Sequence, residues 1–212
     1  MPQKFIAVLL ALVLPLLAIA DDGPWEEGTH YTKLPTPVGT DHPDKIEVAE
    51  VFWYGCPHCY NFKPKVEEWA KDLPDDVEFV LWPAALNPSW QNHARAFFVA
   101  KVLGVLDKVH DPLFNALGRD HRRDLSSQEE LADFFAKHGV DRERFNQAWN
   151  SFGVNTLYEK IQSRIRGAFV TGTPSMIVNG KYRVSAGQAG GHDEMLKIVD
   201  YLIEKERQAK AG

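Results

Sequence analysis

Cysteine is scarce in this chain of 212 residues: there are two, and no third. That excludes a scaffold stapled by several disulfides and a structural zinc site built on two cysteine pairs. The histidines are scattered, with no HExxH or similar spacing, so no metal site is expected. No internal repeat or low-complexity tract is present. Positive charge is not in excess: 24 Lys and Arg stand against 29 Asp and Glu, a net charge of −5. That balance argues against nucleic acid or an anionic membrane as the main partner. The short basic cluster from Arg119 to Arg123 reads as a solvated loop. Beyond the first twenty residues, no stretch is long and apolar enough to span a bilayer.

Those first twenty residues have the pattern of a cleaved secretory leader. Lys4 gives a weak positive start, residues 5–17 are apolar apart from Pro15, and Ala18-Ile19-Ala20 is a small-x-small cleavage site. The apolar stretch is shorter than the ~20 residues of a spanning helix. No cysteine follows it to carry a lipid. The remaining chain, 21–212, keeps a net charge of about −6 once Lys4 is removed. It is long enough to bury a core without staples, and export opens an oxidising compartment to it.

Residues 21–44 are rich in Gly, Pro and Thr and read as an irregular arm, with a short edge strand over 30–34. Residues 46–53 form the first convincing strand, β-branched and aromatic enough for a central position. Pro57 suits the first position of a helix. Val66, Trp69 and Leu73 give that helix an apolar face, and Pro64 falls inside it. A second strand over 77–82 is stopped by Pro83. From 90 to 166 the pattern is helical. Ser126 and Glu129 have capping-box spacing before an apolar run that stops at Gly139. Asp141 caps the next helix, with a stripe of Phe145, Ala148, Trp149 and Phe152. Leu157, Ile161 and Ile165 mark another. Strand character returns at 175–178, and Asn179-Gly180 reads as a two-residue hairpin turn into 182–184. After Gly190-Gly191, Met195, Ile198, Val199, Leu202 and Ile203 line a last helix. The order describes a two-part α/β domain, 21–86 and 167–212, interrupted by an all-helical insert over 87–166.

The two cysteines stand as Cys56-Pro57-His58-Cys59, directly after the first strand. Open α/β sheets place their sites at that end of a strand. A bridge across two intervening residues removes almost no loop entropy, so it is a poor staple, and a redox role explains it better. With Pro57 opening the helix, Cys56 lies at its N-cap, where free N–H groups and the helix dipole favour an anion. A protonated His58 adds positive charge. Thiols react as thiolates, so Cys56 is the expected nucleophile and the shielded Cys59 the resolving thiol. Stabilising the thiolate stabilises the reduced state and makes the disulfide a stronger oxidant.

The tetrapeptide after Phe52-Trp53-Tyr54-Gly55, the helical block, Gly172-Thr173-Pro174 and Val178-Asn179-Gly180-Lys181-Tyr182 together resemble the DsbA family of secreted disulfide oxidases. The likeness covers essentially the whole chain after the leader. This family is itself the standing example of a low-pKa, strongly oxidising C-x-x-C. The resemblance implies a thioredoxin-like domain with an inserted all-helical domain, located in the periplasm, acting as a monomer and without a cofactor. It implies a cis bond at Thr173-Pro174 facing the sulfurs, and a buried acid at Glu50 that helps proton exchange at Cys59. Some relatives carry a lysine near that acid on the second strand. Here the stretch is Val80-Leu81-Trp82-Pro83, so a relay of that form is in doubt. The implied partners are cysteine-containing exported proteins still folding, and a quinone-linked membrane reoxidase of the DsbB kind. A disulfide isomerase or reductase on the same fold, and a binding module without turnover, are the competing readings.

Overall fold

The computed structural model describes residues 23–211. The leader expected over 1–20 lies outside them. Among the described residues, no helix is long and apolar enough to cross a membrane.

Five strands, β1 (Thr32–Lys33), β2 (Ile46–Phe52), β3 (Val77–Pro83), β4 (Ser175–Val178) and β5 (Tyr182–Ser185), form one sheet in the order β1-β5-β4-β2-β3. β2 and β3 run parallel, and a parallel pair needs a crossover. Helix α1 (Pro57–Lys71) supplies it. β4 lies antiparallel on the other side of β2, and Glu50 faces Leu81 on one neighbour and Met176 on the other. All seven residues of β2 are buried, Glu47 and Glu50 included.

The helical block between β3 and β4 comprises α2 (Gln91–Val102), α3 (Leu106–Phe114), a π-helical turn (Asn115–Arg119), α4 (Gln128–Lys137), α5 (Arg142–Trp149) and α6 (Phe152–Gly167). Helices α7 (Ala186–Ala189) and α8 (His192–Ala211) follow β5. Alternation along β2 divides the core. Ile46 and Val48 join Phe62 and Val66 of α1 and Ile198 and Leu202 of α8. Ala49 and Val51 join Phe97 and Phe98 of α2 and Ile161 and Ile165 of α6. The helical block therefore covers the second face of the sheet. Each large side chain buried there contributes roughly 1.5–3 kcal/mol.

Five local expectations need correction. The capping box is at Ser127 and Glu130, one residue beyond Ser126 and Glu129. The Glu130 carboxylate accepts from the backbone N–H of both Ser126 and Ser127, at 3.0 and 2.8 Å. Phe152 does not extend the stripe of α5. Ser151 caps a new helix by accepting from Val154 N–H, and Phe152 is left 85% exposed. The β4–β5 loop has three residues, because Val178 pairs with Tyr182. Asn179 and Gly180 both take positive φ, at 49° and 65°, and Lys181 N–H closes the turn on Val178 O at 2.9 Å. Pro83 is the last paired residue of β3, opposite Phe52, where it was expected to stop the strand. β3 is an edge strand, where a missing N–H is tolerated. The edge strand expected over 30–34 pairs with β5 only through Thr32 and Lys33, and Tyr31 makes an isolated bridge to Glu27.

Candidate active site at the end of β2

The chain leaves β2 at Phe52, turns through Trp53, Tyr54 and Gly55, and enters α1 at Pro57. Cys56 is the N-cap residue, with extended backbone (φ −88°, ψ 115°), and its sulfur accepts from the N–H of Cys59 at 3.4 Å. Both cysteines are free thiols and both are buried, so the structure describes the reduced form.

The two thiols are held far apart in acidity. The Cys56 thiol is brought down to about 5. The chief cause is the Cys59 S–H donating to its thiolate, helped by the Thr173 hydroxyl and the backbone N–H groups of Cys59 and His58, against a burial that opposes them. The Thr173 carbonyl, 3.4 Å from the sulfur, accepts from Cys56 only while that thiol is protonated. Cys59 is pushed the other way, well above the ordinary thiol range. Burial is the main cause, reinforced by the Cys56 thiolate and the Glu50 carboxyl. His58 contributes through its backbone N–H, whereas the sequence pointed to its ring. The ring and Pro57 are both exposed. His192, at the start of α8, stacks near Phe62 with ring centroids 5.0 Å apart. Burial and the neighbouring His58 hold it below the usual histidine range.

Thr173-Pro174 is a cis peptide bond, and the Thr173 carbonyl lies 3.4 Å from the Cys56 sulfur although 117 residues separate them. Glu50 is buried, and its Oε1 has no hydrogen-bond partner among the described residues. Burial pushes its carboxyl up to about 8, with the charge of Glu67 adding to the rise and Lys63 opposing it. The residue across from it on β3 is Leu81, so that strand supplies no cation. Lys63 of α1 takes that place. It is itself tied to Glu67 at 2.6 Å and Asp111 at 2.7 Å.

Other groups that shape the site are invisible in a linear reading because their partners lie more than 30 residues away. Trp53 stacks on Trp90 at 4.2 Å and 6°. Its indole N–H donates to His93 Nδ1 at 3.0 Å. His93 must then carry its proton on Nε2, which donates to Leu125 O at 2.7 Å. Burial keeps this ring below the usual histidine range. The Tyr54 hydroxyl meets His110 Nδ1 at 2.8 Å, and burial lowers His110 to about 4. Gly118, in the π-helical turn, packs so tightly that a Cβ there would stand 2.9 Å from Tyr54 O. Among the described residues, no group of His, Cys, Asp and Glu could hold a metal ion.

The model of the DSBA-like thioredoxin domain matches residues 47–202. The chain is 45% identical over 200 residues to the thiol:disulfide interchange protein DsbA of Pseudomonas aeruginosa, covering 94% of this chain and 93% of that one. It is 44% identical to the protein of the same name from Azotobacter vinelandii, over 86% of this chain and 85% of the other. A crystal structure of Pseudomonas aeruginosa DsbA superposes with a TM-score of 0.84 at 46% identity, covering 91% of this chain and 99% of that one.

Proposed function

This chain belongs to the DsbA family and is a protein thiol:disulfide oxidoreductase, a disulfide oxidase on a thioredoxin-like fold; from that premise we propose that Cys56 carries the exchange and Cys59 resolves it. In the oxidised protein a client thiolate attacks the Cys56 sulfur. The Cys56–Cys59 bond breaks, a client–Cys56 mixed disulfide forms, and Cys59 leaves with the electron pair. A second client thiolate then attacks the client sulfur of that bond. Cys56 leaves as a thiolate and the client keeps a disulfide. Two electrons pass to the protein. Of the two client protons, one ends on Cys59 and one is released to solvent.

Glu50 suits the proton delivered to Cys59. A carboxyl pushed up to about 8 still carries its proton at neutral pH. Thr173, whose carbonyl lies against Cys56, offers backbone groups to an extended client, and Pro174 fixes that loop. Clients are exported proteins still folding. The site of action is the periplasm, reached through the leader over 1–20. A quinone-linked membrane reoxidase of the DsbB kind restores the disulfide.

The observation that carries this reading is the opposite displacement of the two thiols, Cys56 down and Cys59 up. It makes Cys56 the better leaving group and favours the dithiol product. Alkylation of the reduced protein as a function of pH tests it. An inflection near 5 assigned to Cys56 is expected. An ordinary thiol profile, with reactivity appearing only at alkaline pH, would overturn it.

A further inference from the structure

The residue before Cys56 also walls a separate cleft of about 360 Å³, lined in part by Trp53, Gly55, His93, His121, Arg122 and Arg123. One wall is aromatic and fixed. The Trp53 ring lies so close to Gly55 that a Cβ there would stand 2.4 Å from it. Trp90 stacks on the same ring, and His93 holds its N–H. The other wall is the basic cluster that the sequence assigned to a solvated loop. It is anchored to the same turn. The π-helical segment before it packs Gly118 against Tyr54 O, Arg122 N–H donates to Ala116 O at 2.9 Å, and His121 takes a φ of 52°. A π-turn often marks a functional position.

No carboxylate lines this cleft. Arg122 already holds the Asp124 carboxylate in a two-point contact, through Nε at 3.0 Å and through Nη2, with Asp124 outside the lining, so the open fork on this wall is that of its neighbour. Arg123 is exposed and makes no ion pair among the described residues. A rigid aromatic wall facing guanidinium groups suits a carboxylate on a peptide, since arginine binds carboxylates in a bidentate fork.

We propose that this cleft receives Asp or Glu side chains flanking a client's cysteine, so that clients with acidic residues beside the reacting cysteine are oxidised preferentially. The inference rests on the exchange at Cys56 set out above. Gly55 and Cys56 are adjacent, and an extended client advances about 3.3 Å per residue. A carboxylate within a few residues of the client cysteine is therefore carried past the Gly55 side of the cleft. Charge recognition at a partly open rim acts chiefly on the rate of productive encounter and on partner choice.

The test uses the full oxidised protein and flexible dithiol peptides bearing Glu, Gln or Lys a few residues from the first cysteine. Each oxidation rate is divided by the same peptide's rate with a neutral small disulfide, which removes the effect of Glu on thiol acidity. The Glu peptide is expected to react several-fold faster than the Gln peptide at low salt, and the Lys peptide slowest. The advantage should vanish in the exposed double variant Arg122→Ala/Arg123→Ala, with the Gln rate unchanged. It should also vanish near 1 M salt, where the screening length is ~3 Å. Equal corrected rates, or a Glu advantage that survives in the variant, would overturn the cleft assignment. Should no peptide be oxidised, the exchange reading fails. Binding of Cys-to-Ser versions of the peptides then decides the cleft separately: weaker binding of the Glu peptide to the double variant than to the native protein supports it, and equal binding overturns it.

Discussion

Two ionisable groups on one short run of chain, Glu50 in the middle of β2 and Cys56 just past its end, are both buried yet respond in opposite ways. Burial alone disfavours the charged form of each. At Cys56 it is outweighed by donors: the Cys59 thiol, the Thr173 hydroxyl and the N–H groups of the first helical turn. At Glu50 the flanking N–H groups are committed to neighbouring strands and Oε1 has no partner among the described residues. The charge at the end of the strand is therefore favoured, and the charge in its middle is penalised. The difference lies in the donors within reach: the first helical turn brings the Cys59 thiol, and with it free N–H groups, to the Cys56 sulfur, and a sheet interior leaves no such groups free.

The largest expected effect comes from removing the penalised group. The Glu50 carboxyl is raised in the folded protein, so it costs nothing below its unfolded value near 4.5, and the cost grows as pH climbs towards 8. Glu50→Gln should raise stability by ~3 kcal/mol at pH 7 and by almost nothing at pH 4. Denaturant unfolding of the reduced protein at both pH values checks this. An equal gain at both would mean that packing is responsible and not ionisation.

Next in size is the reduced–oxidised difference. The Cys56 thiol is lowered in the folded reduced protein, so its contribution is complete above the unfolded thiol value near 9 and is lost as pH falls to about 5. At pH 7 the reduced form should exceed the oxidised form by roughly 2 kcal/mol, after allowance for solvent at the sulfur. Paired denaturation curves of the two redox forms should converge towards pH 5.

The smallest effect removes one donor. Thr173→Val deletes a hydroxyl that helps both thiolates. It should move the Cys56 alkylation inflection upward by about one unit, the worth of roughly one hydrogen bond. An unmoved inflection would assign the stabilisation to Cys59 and the helix N–H groups alone.

What could be read in the sequence was local. Cys56 as N-cap and Asp141 as cap follow from the residues next to them, and the structure has both. Ser126-Ser127-Gln128-Glu129-Glu130 satisfies the capping spacing twice, and nothing local breaks the tie. The Glu130 carboxylate breaks it by collecting two N–H groups at once. Phe152 fits the stripe of α5 by period alone, and only the Ser151 cap reveals a new helix. The mid-strand place of Glu50 was legible from its apolar neighbours, and its burial only through the family resemblance. The cation that acts on it was not, because Lys63 sits on α1 and strand pairing points to β3. Trp53 with His93, Tyr54 with His110, and the arginines beside Gly55 are pairings across the fold that no periodicity encodes.

The second face of the sheet has one further consequence. Ala49 and Val51 share an uninterrupted apolar mass with Phe97, Phe98 and Ile161 of the helical block, and Trp53 is latched to that block through His93. The block is thus no detachable module. Excising it would strip the sheet bare and free the indole beside Cys56. Heat should dismantle both parts in one transition, and the redox machinery should disappear with them.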